Sequence, residues 1–166
     1  LQDSQTKQIC STILLQKGSQ AFAVLVVEKS GRHNGTNDTR LKEVRMKINS
    51  ESKIHHPIDV VYRCYRDHLP EVAPYTEDVK EIIVKSREEL PNGPKVHNVW
   101  VADRELPKMA QGIIKPEMMQ WDDFAQWDDT NQHVDWRINF PTFPNQVQCS
   151  GRNTFIADGP HTTRVL

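Results

Sequence analysis

Strict alternation of apolar and polar residues is the feature that most constrains how this chain can fold. Val134, Trp136, Ile138 and Phe140 are each separated from the next by a single polar residue. Only an extended chain presents every second side chain on the same side, so the pattern predicts a β-strand with one apolar face. Such a strand is typical of an antiparallel sheet that is covered on one side and faces water on the other.

Further strands are predicted between turns rich in proline, glycine, asparagine and aspartate. A short helix is predicted from Pro57 to Leu69, because proline suits the first helical turn and apolar residues follow at helical spacing. A broken helix or turn follows at 70–75. The order of a strand, short helices and an antiparallel meander predicts an α+β fold. The predicted strands cover 44–49, 78–85, 96–102, 118–129, 134–140, 147–157 and 162–166.

The length of the chain fits one domain with a preceding appendage. Its 166 residues match a single domain of typical size. The polar stretch 30–39 is typical of a linker, so we assign 1–42 to an N-terminal appendage that can form a hairpin and 43–166 to the domain. A formal net charge of -1 argues against nucleic acid as a partner. The longest apolar run, 21–27, is too short to span a membrane.

The cysteines and histidines give little support to a disulfide framework or a metal site. The three cysteines, Cys10, Cys64 and Cys149, are odd in number and widely spaced. We therefore expect reduced thiols and a cytoplasmic location, with an organellar lumen after processing as the alternative. No histidine stands in a recognisable metal-binding spacing, and we expect neither a metal nor a cofactor.

The tryptophans are the most distinctive residues of the predicted sheet. The sequence Gln-Trp-Asp-Asp occurs twice, and its tryptophans, Trp121 and Trp127, are six positions apart. On a strand an even offset places both rings on the same face. Trp100 and Trp136 also lie on predicted strands. The four tryptophans either line a ligand pocket or fill the core, since ligand sites are themselves mostly apolar and aromatic.

Few polar residues are candidates for catalysis. Asn98 shares the phase of Trp100, whereas His97 lies in the opposite phase. A catalytic acid or base must reach the substrate within hydrogen-bond distance, and the weak candidates are His97, Asn98 and Tyr62. The carboxylates of the repeat are interpreted as solvated hairpin charges: Asp122, Asp123, Asp128 and Asp129.

Several of these segments together resemble the START-like (SRPBCC) superfamily, in particular its polyketide cyclase/dehydrase, lipid-transport and coenzyme-Q-binding branch. The resemblance covers 46–166 and is diffuse, without a single catalytic motif. It implies a helix-grip fold, in which a curved antiparallel sheet wraps around a long C-terminal helix and leaves a hydrophobic cavity. The segments that carry the resemblance are 57–62, 69–75 with Val79, Trp136, Gly151 and 158–165.

The sequence departs from that superfamily pattern at its C-terminal end. A last strand and the long helix are missing before Leu166, so we expect the native chain to continue beyond it. With the tryptophans, the resemblance implies a set of ligand-binding residues on the helix and the strands. The candidates are Tyr62, Tyr65, Trp100, Trp121, Trp127, Trp136, Ile138 and Val147.

Three functions remain open from the sequence. The first is binding or transport of a hydrophobic small molecule, such as a lipid, a quinone or a polyketide. The second is an enzyme of the polyketide cyclase/dehydratase type, which would need placed polar groups and is the less favoured. The third is a protein-interaction module, including a homodimer formed through an exposed sheet edge.

Overall fold

The computed structural model describes residues 47–76, 78–103, 119–142 and 149–166. The predicted appendage at 1–42 and the candidate Val147 lie outside these residues. The strands are β1 (Ser52–Ile54), β2 (Val79–Glu88), β3 (Lys95–Ala102), β4 (Gln120–Asp128), β5 (His133–Asn139), β6 (Cys149–Ala157) and β7 (Thr163–Val165). Helix α1 (Ile58–Asp67) and a 3₁₀ helix (Leu69–Tyr75) lie between β1 and β2.

The seven strands form one antiparallel sheet in the order β1-β7-β6-β5-β4-β3-β2. Strands β2 to β6 are a continuous meander, and β1 joins the sheet by pairing with the last strand, β7. The predicted α+β class is therefore confirmed. Among the described residues, no helix has the length and apolar character needed to cross a membrane.

Several element boundaries differ from the sequence prediction, and those of β1 and α1 have a clear physical reason. The first described strand is Ser52–Ile54, whereas the described part of the predicted strand 44–49, residues 47–49, is not in a strand. The three residues of β1 pair one for one with the three of β7, so a distant partner sets the strand boundary rather than local alternation. Helix α1 ends at Asp67 because Pro70 disfavours the α conformation at Leu69.

One face of the sheet, here called the inner face, packs against α1 and the 3₁₀ helix. The helix buries Val61, Tyr62, Cys64 and Tyr65, and these residues form one core cluster with apolar side chains of the sheet. The opposite side is called the outer face. Burial of one apolar face is what the alternation predicts for an antiparallel sheet with a helical cover.

The cysteines correct one expectation from the sequence. Cys64 is buried in α1, only 2% exposed, and it is disulfide-bonded. Cys149, on β6, is a partly buried free thiol. The expectation of reduced thiols is therefore wrong for Cys64, because an odd number of cysteines does not prevent one pair from forming.

Candidate functional site

The strand register places all four tryptophans on the inner face. Trp100 on β3 lies directly opposite Trp121 on β4. Trp127, further along β4, shares the face of Trp121, and Trp136 on β5 lies opposite Ala125 of the same face. Trp100 and Trp127 are 3% and 5% exposed, whereas Trp121 and Trp136 are only partly buried. The inner face therefore has a covered end and a half-open end.

At the covered end, α1 closes over an aromatic cluster. The Tyr62 ring meets Trp127 and Phe155 edge-on, each at 5.2 Å between centroids. Tyr65 contacts Phe155 at 5.5 Å. Edge-to-face contacts of this kind add to the stabilisation from burial. Three of the candidate ligand-binding residues, Tyr62, Tyr65 and Trp127, thus lie in the packed core between α1 and the sheet.

The Tyr62 hydroxyl is engaged at the rim of the covered end. It donates a hydrogen bond of 3.0 Å to Asp129, whose other carboxylate oxygen accepts one of 2.6 Å from Arg66. Burial, followed by the bond to Asp129, raises the pKa of Tyr62 well above its ordinary value. The hydroxyl stays protonated at neutral pH and serves to fasten α1 to the end of β4.

At the half-open end, Trp121 and Trp136 leave part of their surface accessible, whereas Trp100 is 3% exposed and belongs to the core cluster. Trp100 and Trp121 stack at 5.9 Å with 17° between their planes, and Phe140 lies 6.5 Å from Trp121. The Trp136 indole N–H donates to Asn153 Oδ1 at 3.1 Å. Its ring lies over Gly151, where an added Cβ would come within 2.5 Å of the ring. Gly151 is therefore required for the close approach of Trp136 to the sheet.

The carboxyl of Asp123 lies at the centre of this half-open end. In the register Asp123 is opposite Asn98 on one side and Ile138 on the other, and it follows Trp121 by two residues on β4. It is only 9% exposed. Asn98 Nδ2 and Trp100 Nε1 both donate to its Oδ2 atom, at 3.2 Å and 3.3 Å. The interpretation of Asp123 as a solvated hairpin charge is therefore wrong.

Burial controls the ionisation of this carboxyl. Desolvation raises the pKa of Asp123, and the hydrogen bonds from Asn98 and Trp100, with the charge of His97, oppose the rise only in part. Carboxyl groups with a raised pKa inside an aromatic site are frequent at functional sites. The group can act as a hydrogen-bond acceptor when ionised and as a donor when protonated.

Asn98, next to Asp123, has a buried acceptor atom without a donor among the described residues. Its side chain is less than 2% exposed, and its Oδ1 atom accepts no hydrogen bond from any residue that the structure describes. A buried acceptor without a donor costs roughly 1–3 kcal/mol. Native proteins keep few such atoms, and each calls for an explanation such as a bound water or a ligand.

The outer face carries a separate polar group. His97 Nε2 lies 2.7 Å from Asp122 Oδ1, and the imidazole stacks on Phe124 at 4.4 Å. The Arg137 guanidinium lies 5.3 Å from the centroid of the same ring. His97 is therefore on the opposite side of the sheet from Asn98.

The structure does not bring the three candidate catalytic residues together. His97 is on the outer face, Asn98 is at the half-open end of the inner face, and Tyr62 contacts Trp127 at the covered end. Trp127 is four residues from Asp123 along β4, a separation of about 13 Å. Sequence reasoning missed Asp123, although its phase with Trp121 and Trp127 places it on the inner face.

Ile138 is partly buried beside Asp123. Within the described ranges, no group of three or more histidine, cysteine, aspartate or glutamate side chains could hold a metal ion. No protein-family model matches the sequence, and no curated protein matches it.

Proposed function

We propose that the protein binds an apolar small molecule at the half-open end of the inner face. The observation that carries this proposal is the set of partly exposed rings, Trp121 and Trp136, placed around the polar pair Asp123 and Asn98. Ligand sites combine a mostly apolar and aromatic lining with a few placed polar groups. The half-open end has both, whereas the rings of the covered end are already packed against α1.

We also propose that the chain is a member of the START-like superfamily and that its sheet and helices form a helix-grip fold. An antiparallel meander with short helices packed on its inner face supports it, as does the position of the tryptophans on that face. In this proposal 43–166 is the ligand-binding domain, and the natural ligand is a lipid, a quinone or a polyketide. Affinity comes from apolar area removed from water, about 25 cal/mol per Å² before the cost of association.

The proposal is tested by equilibrium dialysis of the purified chain against naphthalene, a simple planar apolar probe. We expect saturable binding that is lost or weakened at least about tenfold in Trp121→Ala, because the ring forms part of the site. Phe124→Ala is the matched control, since it removes an aromatic ring from the outer face of the same strand. If both variants bind naphthalene as tightly as the wild type, the site lies elsewhere. If the wild type shows no saturable binding, the proposal is wrong.

Asp123 favours an enzyme as the second candidate function. A buried carboxyl with a raised pKa, set among aromatic rings, is suited to transfer a proton to or from a bound substrate. A cyclase or dehydratase would then use Asp123 with Asn98 rather than His97 or Tyr62. Turnover of a polyketide substrate that disappears in Asp123→Asn, but not in His97→Gln, would promote this function above simple binding.

We also propose that the protein forms a homodimer. Among the described strands β2 is at one edge of the sheet, and the unpaired backbone groups of an edge strand suit a homodimer formed by edge pairing. Size-exclusion mass at several concentrations tests this.

The disulfide at Cys64 is typical of an oxidising compartment, so it favours an organellar lumen over the cytoplasm.

A further inference from the structure

We propose that Asp123 and Asn98 are a hydroxyl-binding anchor, and that the ligand class is planar aromatic alcohols and phenols. This inference rests on the proposed function, because it names the ligand class of the same site. It follows from which polar atoms remain unused at the half-open end and from the side chains that surround them.

The unused atoms are acceptors. Both hydrogen bonds that Asp123 receives from described residues end on Oδ2, which leaves Oδ1 for another partner. Asn98 Oδ1, on the neighbouring strand and directly opposite in the register, has no donor among the described residues. A ligand that satisfies these atoms must supply a hydrogen-bond donor, and an ether or an alkane cannot do so.

A hydroxyl group fits this pair better than a group that can only donate a hydrogen bond. It can donate to Asn98 Oδ1 or to an ionised Asp123, and it can accept from Asp123 when that carboxyl is protonated. Burial raises the pKa of Asp123, which favours the protonated form relative to an exposed aspartate, and a hydroxyl can pair with either form. The hydroxyl would also remove the cost of the buried Asn98 acceptor, which a ligand without a donor leaves in place.

The side chains around the anchor define the rest of the ligand. Trp121 and Ala125 flank Asp123 along β4, Trp100 lies beside Asn98, and Trp136 and Ile138 follow on β5. Stacked indole rings accept flat aromatic groups in offset or edge-on geometry. A planar ring system with one hydroxyl therefore matches both the rings and the polar pair.

The test compares three probes of similar shape by equilibrium dialysis: naphthalene, 2-naphthol and 2-methoxynaphthalene. We expect the wild type to bind 2-naphthol at least about tenfold more tightly than 2-methoxynaphthalene, which has the oxygen but no donor. Asn98→Leu should lose most of this preference and still bind naphthalene. Asp122→Asn, a matched control on the outer face of β4, should keep the preference.

The outcomes separate this inference from the proposed function. If all three probes bind the wild type with similar affinity, the hydroxyl anchor is overturned and the apolar site stands. If none binds, both fall. If Asn98→Leu fails to fold, the wild type is titrated with 2-naphthol and with 2-methoxynaphthalene, and the side-chain amide signal of Asn98 is followed by ¹⁵N NMR. A shift caused by 2-naphthol but not by 2-methoxynaphthalene supports the anchor, and equal shifts contradict it.

Discussion

The two ends of the inner face are built from the same residue types and differ in what covers them. At the covered end, α1 places Tyr62 and Tyr65 on the rings of Trp127 and Phe155. At the half-open end, Trp121 and Trp136 pack only partly, and the centre is a carboxyl rather than a methyl group. Aromatic residues on one sheet face thus serve as core where a helix seals them and as a candidate site where it does not.

The largest expected effect comes from truncating the covered end. Trp127→Ala removes a ring that is 5% exposed and touches both Tyr62 and Phe155. We expect a loss of about 3–5 kcal/mol in the free energy of unfolding, because the cavity cannot fill. Urea denaturation measures it. Trp121→Ala is the comparison at the half-open end and should lower the free energy of unfolding clearly less. Equal losses in the two variants would mean that the two ends are packed alike.

A smaller effect is expected from filling the space beneath Trp136. Gly151→Ala puts a Cβ within 2.5 Å of the indole ring, so the ring or the strand must shift. Overpacking of this kind costs about 1–3 kcal/mol, and it should also weaken naphthalene binding. The control is Gly159→Ala, where no atom lies within 4 Å but the backbone has a φ of 97°. That variant should lose stability through strain, yet it should leave binding unchanged.

Removing one hydroxyl at the covered end should have a modest effect. Tyr62→Phe keeps the ring contacts with Trp127 and Phe155 but deletes the hydrogen bond to Asp129. We expect a loss of about 0.5–1.5 kcal/mol in the free energy of unfolding, with no change in naphthalene binding. Arg66 continues to pair with Asp129. A strong loss of binding in this variant would show that the ligand site extends beneath α1.

The smallest expected effect depends on pH and reports on the half-open end. Because burial raises the pKa of folded Asp123, its contribution to stability is complete below the ordinary value of 3.8 and declines as pH rises through the raised value. Asp123→Asn cannot ionise, so its stability relative to the wild type should increase between about pH 4 and neutral pH. Urea denaturation across this range measures the difference, and a difference that falls with rising pH would contradict the raised pKa.

Much of the fold could be predicted because alternation is a local signal. The strand around Trp136 and the turns at 129–132 and 158–160 lie close to where the sequence indicated them. The pairing of β1 with β7 could not be predicted, because it joins segments more than a hundred positions apart and only three residues long. Short strands carry too little periodicity to be recognised without their partner.

The site was predictable only in its apolar part. The even offset between Trp121 and Trp127 indicates a shared face, and the structure places both there. Asp123 occupies the same phase, but its charge suggested a solvated hairpin. What the sequence could not supply is the burial around that carboxyl, which depends on rings from β3 and β5 and raises its pKa.

The most direct test of the central claim is an NMR titration that observes the four tryptophan indole N–H signals while naphthalene is added. The account predicts shifts concentrated on Trp121 and Trp136, with Trp127 unchanged, because the ligand occupies the half-open end and α1 seals the other. Shifts centred on Trp127, or no shift at any indole at saturating probe, would contradict it.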